Sequence, residues 1–475
     1  VEKPSLRTDQ IADLAFYIAN KRCLNLSDAG TGKTPSVVVM QYYLWSELQV
    51  GTVWVQPKRL LDKNRREILR FTDFKEEDVV IVDGTPKQIE KMLKSGAKVF
   101  LMGFRRFALS WRGLPKYVKA VHVDEFHMGF KSAESAATQQ LFAAMDSRME
   151  WFLPMTGTII SGKLTSAYPA IHVVEPRYYP SAEAFEYQHA IKDYDGKTIG
   201  WTGHGKLSAI FGRHAIRRTF ESIHGKQEVV EIPEVVSMTA RQREMYDEFH
   251  KEAVLELEKF FLDGSQPGVA FIRARQLMEH PNEFPDLTDI GHFVDVMPGE
   301  KPGKEELLEI HLEDHMNNGK PLIIFTPMIP QQQRIMAMLE RRGIKFGLIN
   351  GSVSTKVSDQ ADRDFCEGRI QVLLCSPQCA SVGYNWQFNG EQEVDHIIFM
   401  TMDYNHDTYL QARQRAIRGK RTTPLRVSVF EYEDSADQHI LGIVYRKSLD
   451  AHKVDPTMPI VQLSGYQKDY NLIDY

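Results

Sequence analysis

Cysteine is scarce in this chain, 4 of 475 residues. Cys23, Cys366, Cys375 and Cys379 lie mostly inside apolar, strand-like runs, and the Cys375/Cys379 spacing lacks a second ligand pair. Reduced core thiols are therefore expected, in place of a disulfide framework or a zinc site. No apolar run approaches the about 18 residues that a membrane span needs, and no charged-then-apolar leader opens the sequence. Neither a span nor a signal peptide is expected, and an intracellular location is the default. A basic surplus is missing as well: 58 Lys and Arg face 63 Asp and Glu, for a net charge of -5. That excludes a uniformly basic nucleic-acid coat and leaves phosphate contacts to local patches. Short-period repeats and low-complexity tracts are also lacking.

What is present is ample apolar material, 43% of the residues, enough for two or three cores in a chain of this length. Short β-rich runs at residues 52–55, 79–82, 99–102, 120–123 and 151–153 alternate with helical stretches, the rhythm of a parallel α/β sheet. Residues 178–220 read as helical and basic. A strand-like stretch, 229–238, precedes a second helical one, 240–278, and residues 281–302, rich in Pro, Gly and Asp, read as an irregular connection. The rhythm then resumes at 322–325, 346–349, 372–374, 396–400 and 427–430, the strands of a second sheet. An α/β fold with two tandem parallel-sheet lobes follows: 1–225 with a helical insertion at about 178–220, 226–455 with one at about 240–280, and a tail over 456–475.

The most informative residues are Ser27, Asp28, Ala29, Gly30, Thr31, Gly32, Lys33 and Thr34, between an apolar run and a helix expected over 35–48. Gly30 and Gly32 let backbone N–H groups turn toward a triphosphate, with Thr31 between them. Lys33 can reach the outer phosphates, and the Thr34 hydroxyl can ligate Mg²⁺. A helix N-terminus adds its positive dipole end. Ser27 stands where the full pattern has glycine. About 90 residues on, the run 120–123 ends in Asp124, Glu125, Phe126 and His127. A carboxylate at the end of a buried strand suits a nucleotide-bound Mg²⁺, which is the role given to Asp124; Glu125 can orient and deprotonate the attacking water, and His127 can link the site to its neighbours. Gln411, Arg415 and Arg418, at spacings of four and three, are expected on one helical face, where an arginine can neutralise γ-phosphate charge.

In order and spacing these motifs resemble the superfamily-two helicase-like ATPases, and among them the SWI/SNF-type double-stranded-DNA translocases, over residues 6 to about 447. The resemblance implies RecA-like lobes, an ATP cleft between them, and ATP and Mg²⁺ as ligands. Residues 6–10 are similar to the adenine-reading segment, with Gln10 as candidate base contact and Arg7 beside it. Residues 55–58 and 103–106 fall where that family touches a nucleic-acid backbone, which marks Lys58, Arg105 and Arg106. Residues 124–127 match its DExH box, and 155–158, with Thr156 and Thr158, its coupling motif. Residues 207–218, ending in Arg217 and Arg218, resemble a basic helix of the SWI/SNF branch that contacts DNA; Gln242 and Tyr246 resemble its Gln-x-x-x-Tyr helix start, and residues 278–281 also look familiar. Residues 376–386 align with a Gly-rich motif, giving Ser381, Asn385 and Trp386 as further nucleic-acid candidates. Gln411 to Arg418 resembles the arginine-finger motif. Departures at Ser27, Ala380, Ser381 and Ile417 suggest a distant member.

The implied activity is a nucleic-acid-stimulated ATPase that translocates on DNA and remodels branched or duplex DNA, by fork regression or branch migration, in replication, recombination or repair. The partner would be DNA bound without sequence preference, and no membrane. No stretch resembles a chromatin-reading or nuclease domain, so the motor itself is expected to do the work. A strand-separating DNA or RNA helicase and a non-hydrolysing nucleic-acid-binding module are the alternatives.

Overall fold

The computed structural model describes residues 3–161, 163–263, 268–286, 289, 292–380, 383–403 and 405–463, and the backbone alone for 254, 255 and 257–263. The chain forms two compact units. One takes in the chain up to Ile191, Trp201–Gly225 and Lys453–Thr457; the other takes in Lys192–Gly200, Lys226–His452 and the chain from Met458 on.

In the first unit five strands form a sheet in the order Val79–Ile81, Val99–Met102, Gly51–Val55, Val118–Val123, Trp151–Pro154, every pair parallel. Helices on both sides bury most of their residues, which is why Val, Ile, Leu and Phe run uninterrupted instead of alternating with polar residues. The sheet is extended beyond Trp151–Pro154 by parallel bridges from Arg22 to Phe152 and Asn25 to Met155. Leu24–Asn25 then pairs in parallel with Ala215–Ile216. Val37, Val38 and Leu44 of the helix Lys33–Leu48 pack with Trp54, Leu101 and Leu153 in the core.

The second unit is built on six parallel strands in the order Val229–Val236, Leu425–Tyr432, His396–Phe399, Leu322–Phe325, Val372–Cys375, Phe346–Ile349. Leu308, Leu312, Ile335, Leu339, Leu374 and Ile398 form its centre. The strand-like stretch near 229 is thus an edge strand, held by Leu425–Tyr432 over eight residue pairs.

Three local expectations need correction. Residues 178–220 are not all helical: strands Ala190–Lys192 and Thr198–Trp201 separate the helices Ala182–His189 and His204–His214. Ile191, Thr198, Ile199 and Trp201 favour strand, and Asp193, whose N–H donates to the Lys197 carbonyl at 2.8 Å, opens a turn that ends on Gly196 at φ +77°. The connection at 281–302 also builds its own small core, Val296 and Met297 burying against Leu277 and Phe284; residues 287, 288, 290 and 291 lie outside those described. Nor does the chain become a tail at 456. Met458, Val461 and Leu463 are buried, and the Val461 N–H donates to Ser448 Oγ at 2.9 Å; residues 464–475 lie outside those described.

Candidate nucleotide-binding site

The loop leaves the strand Leu24–Asn25 and turns through Gly30 (φ +81°) and Gly32 (φ +82°) into the helix Lys33–Leu48. Both glycines are in the left-handed region that side chains disfavour. At Gly32 a Cβ would also lie 2.9 Å from Arg7 Nη1 and 3.0 Å from Gln10 Nε2. Arg7 Nη2 donates to the Thr31 carbonyl at 2.7 Å and Gln10 Nε2 to the Gly32 carbonyl at 2.9 Å. The Arg7 N–H in turn donates to Gln10 Oε1 at 3.0 Å. The segment marked for adenine recognition thus lies directly on the loop. Lys33 Nζ reaches back to the carbonyls of Ser27 and Asp28, at 2.7 and 2.9 Å.

A feature that the motifs did not reveal is a brace formed by residues 215–224. Ser27 Oγ accepts from the Arg218 N–H at 3.1 Å, which gives the departure from glycine a use. Asp28 receives Arg217 Nη1 on one carboxylate oxygen at 2.6 Å and the Phe220 N–H on the other at 2.8 Å. His224 Nε2 bonds the Gly30 carbonyl at 3.0 Å. Arg217 Nε also pairs with Asp455 at 2.6 Å, and Arg218 pairs with Asp13 at 2.6 Å. These two arginines, expected on a nucleic-acid backbone, are thus engaged with carboxylates beside the phosphate loop.

Strand Val118–Val123 delivers the carboxylates. The Asp124 N–H donates to the Val55 carbonyl at 2.8 Å, so the strand ends in register with its neighbour. Glu125 follows in the left-handed region, φ +50° and ψ +52°, an uncommon conformation for a non-glycine residue that concentrates at functional positions. The Glu125 N–H donates to Asp124 Oδ1 at 3.1 Å, and Asn64 Nδ2 donates to Asp124 Oδ2 at 3.4 Å. Desolvation, reinforced by the Glu125 charge and opposed by Lys33, pushes Asp124 up to about 6. For Lys33 desolvation lowers the pKa, against the pull of Glu125, Asp124 and Asp28. Lys33, Asp124 and Glu125 therefore share one electrostatic site, with Thr34 in the first turn of the helix. A desolvated carboxylate beside a second one is an oxygen donor set suited to Mg²⁺. Among the described residues no three His, Cys, Asp or Glu side chains group as a metal cage.

From Glu125 a polar chain runs to the next strand end. His127 Nδ1 lies 3.7 Å from Glu125 Oε2 and 2.8 Å from Thr156 Oγ1. Thr156 Oγ1 donates to the Thr158 carbonyl at 3.2 Å and accepts from the Thr158 N–H at 3.1 Å.

Among the other nucleic-acid candidates of the first unit, Lys58 and Arg105 are exposed. Lys58 pairs with Asp83 at 2.8 Å, and Arg106 approaches the same carboxylate at 3.9 Å. In the second unit the candidates diverge. Asn385 is exposed, but Trp386 is fully buried, stacked on Tyr384 at 4.8 Å with its N–H on Asp362 Oδ1 at 2.8 Å. Trp386 is a core residue: Trp386→Ala is expected to cost about 3–5 kcal/mol, read as a lowered denaturation midpoint. Ser381 lies outside the described residues. The arginine segment is not one helical face either, since the helix His406–Arg413 ends before a 3₁₀ turn, Gln414–Ala416, that holds Arg415, and Arg418 follows it. Even so, Arg415 Nη1 and Arg418 Nη2 converge on the Tyr384 carbonyl, at 3.2 and 2.9 Å. Arg415 Nε donates to the Gln411 carbonyl at 3.0 Å. Arg415 is buried and Arg418 half-buried, so Arg418 is the more accessible of the two.

Residues 303–420 match the family described as Helicase conserved C-terminal domain. Chromodomain-helicase-DNA-binding protein 1-like from Danio rerio is 23% identical over 95% of this chain and 43% of its own length. The SWI/SNF chromatin-remodeling complex subunit snf22 of Schizosaccharomyces pombe is 24% identical over 92% of this chain and 27% of its own. Over most of its length the chain is thus similar to superfamily-two helicase-like proteins of the SWI/SNF type. It spans less than half the length of either relative. The fold is similar to that of the Pyrococcus furiosus Hef helicase domain, with a TM-score of 0.53 at 14% identity, covering 91% of this chain and 97% of that one. That likeness concerns the two tandem RecA-like lobes.

Motif reading missed two buried amides, Asn64 bonded to Asp124 and Gln56 bonded to Asn64. The available signal was weak: one asparagine on a strongly charged helix, Leu61–Phe71. No helix among the described residues is long and apolar enough to cross a membrane.

Proposed function

We propose that this protein is a nucleic-acid-stimulated ATPase that uses ATP hydrolysis to translocate on duplex or branched DNA, as in fork regression or branch migration. The observation that carries the reading is the joint electrostatic site of Lys33, Asp124 and Glu125 beside the Gly30/Gly32 turn. Phosphates would take Lys33 Nζ from the Ser27 and Asp28 carbonyls that it now contacts. Loop N–H groups and the dipole of the following helix would add positive potential. Arg7 and Gln10 would border the base. When bound at Asp124 and Thr34, Mg²⁺ would neutralise phosphate charge. Glu125 would receive the proton of the attacking water, and the His127–Thr156–Thr158 chain would carry its state to the neighbouring strand end. Arg418, with Arg415 and Gln411 behind it, would supply charge to the γ-phosphate in the transition state, and Lys58, Arg105, Arg106 and Asn385 would meet the DNA backbone. An intracellular location goes with this reading.

The test is ATP turnover against single-stranded, duplex and forked DNA and against RNA, with a gel assay on a homologous fork and on a tailed duplex. Stimulation by duplex or forked DNA, with fork regression and no unwinding of the tailed duplex, is the expected result. Stimulation by RNA alone would overturn the DNA reading, and unwinding of the tailed duplex without regression would make the protein a strand-separating helicase.

A further inference from the structure

The segments 55–58 and 103–106, which carry Lys58, Arg105 and Arg106, meet at Gln56. Its N–H donates to the Met102 carbonyl at 2.9 Å, and a Cβ on Gly103 would lie 4.0 Å from its carbonyl oxygen. The Gln56 side chain is fully buried, and its Oε1 accepts from Asn64 Nδ2. That same Asn64 nitrogen donates to Asp124 Oδ2 at 3.4 Å, so its two hydrogens serve two acceptors. Asn64, 2% exposed, sits in the first turn of Leu61–Phe71, directly after the turn Lys58–Leu60.

We propose that Asn64 is a positioning residue: it fixes the rotation of the Asp124 carboxylate and links it, through Gln56, to the segments that face nucleic acid. The inference rests on the ATPase reading above. With Asp124 Oδ1 accepting from the Glu125 N–H at 3.1 Å, a second donor on Oδ2 leaves the carboxylate one orientation. A neutral amide does this without bringing a positive charge that would compete with a metal ion, as lysine would. Among the described residues the buried Gln56 Nε2 has no hydrogen-bond partner, an arrangement that disfavours the present position of the amide. A small shift of residues 55–58 or 103–106 on binding DNA would therefore move the Gln56 amide and, through Asn64, Asp124.

The test uses the full chain and two readouts, the Mg²⁺ dependence of binding a fluorescent ATP analogue and ATP turnover with and without duplex DNA. Asn64→Ala is expected to raise the Mg²⁺ concentration for half-maximal analogue binding by about tenfold, as loss of outer-shell support does elsewhere, and to reduce the stimulation by DNA. Gln56→Met keeps side-chain length and the Asn64–Asp124 bond; it is expected to lose stimulation while keeping the Mg²⁺ requirement of the unaltered chain. An unchanged Mg²⁺ requirement in folded Asn64→Ala would overturn the positioning role. Undiminished stimulation in Gln56→Met would overturn the link, and this variant decides the matter if Asn64→Ala does not fold. Should the unaltered chain bind the analogue but show no turnover, the ATPase reading fails, whereas the binding readout still judges Asn64.

Discussion

Glu125→Gln is expected to lower ATP turnover by about 10²- to 10⁴-fold, the usual worth of a positioned general base, without loss of nucleotide binding. Glutamine has the shape of glutamate and the same backbone preferences, so it inherits the left-handed conformation at φ +50° at similar cost. What it lacks is the ability to take a proton from water. Binding should persist because the proposed phosphate cradle lies elsewhere, at Gly30, Gly32 and Lys33, and because Asp124 keeps both the Glu125 N–H and Asn64 as donors. Removing the Glu125 charge also takes away one of the groups that push Asp124 upward, so Mg²⁺-dependent binding should not weaken through Asp124. Single-turnover hydrolysis with duplex DNA, set beside analogue binding, separates the two effects. Turnover at the level of the unaltered chain would remove Glu125 from the chemistry. Lys33→Ala provides the contrast, since it should lose binding and turnover together.

Fold and site were legible in the sequence to different degrees, for physical reasons. Buried parallel strands carry unbroken apolar runs, so the strands at 99–102 and 322–325 could be read to the residue. The turn at Gly30 and Gly32 and the helix start at Lys33 were legible because that geometry is local, set within eight residues. The face shared by Gln411, Arg415 and Arg418 was misread because spacing says nothing about where a helix stops, and this one ends at Arg413. Trp386, Arg217 and Arg218 show the other limit. An aromatic or basic residue in a motif looks the same whether it faces a ligand or a partner in the fold, and Asp362, Asp28 and Asp13 are remote in sequence. Gln56 and Asn64 gave little signal, since an amide becomes informative only when burial fixes its partners.

An equally large loss of stability is expected from Lys304→Ala, in a buried ionic cluster of the second unit that no sequence pattern announced. Lys304 Nζ lies 2.8 Å from Glu279 Oε1 and 2.7 Å from Asp437 Oδ2, with side-chain exposures of 1%, 0% and 3% for the three residues. Glu279 Oε2 accepts from Gln331 Nε2 at 2.7 Å and from Thr401 Oγ1, and the ammonium stands 5.0 Å above the Tyr432 ring. Desolvation lowers the Lys304 pKa, but the Asp437 and Glu279 charges outweigh it and the net shift is upward. Desolvation raises Asp437, with Lys304 as the main force opposing it. Alanine would leave two carboxylates facing each other without a cation, a loss of about 3–5 kcal/mol when one partner of a buried pair is removed. The cluster joins the helices Val269–Glu279, Gly303–Asn318 and Ala436–Val454, so hydrogen exchange across residues 269–279 and 436–454 should quicken along with a lower denaturation midpoint. The sign of the pH dependence provides a second check. Without Lys304, Asp437 loses the charge that opposes its desolvation and keeps a folded-state pKa above its unfolded one, so the stability deficit grows as pH rises above about 4 and shrinks as pH falls toward it. A deficit below about 1 kcal/mol near pH 7.5, in the range of an exposed ion pair, would show that the cluster does not hold these helices together.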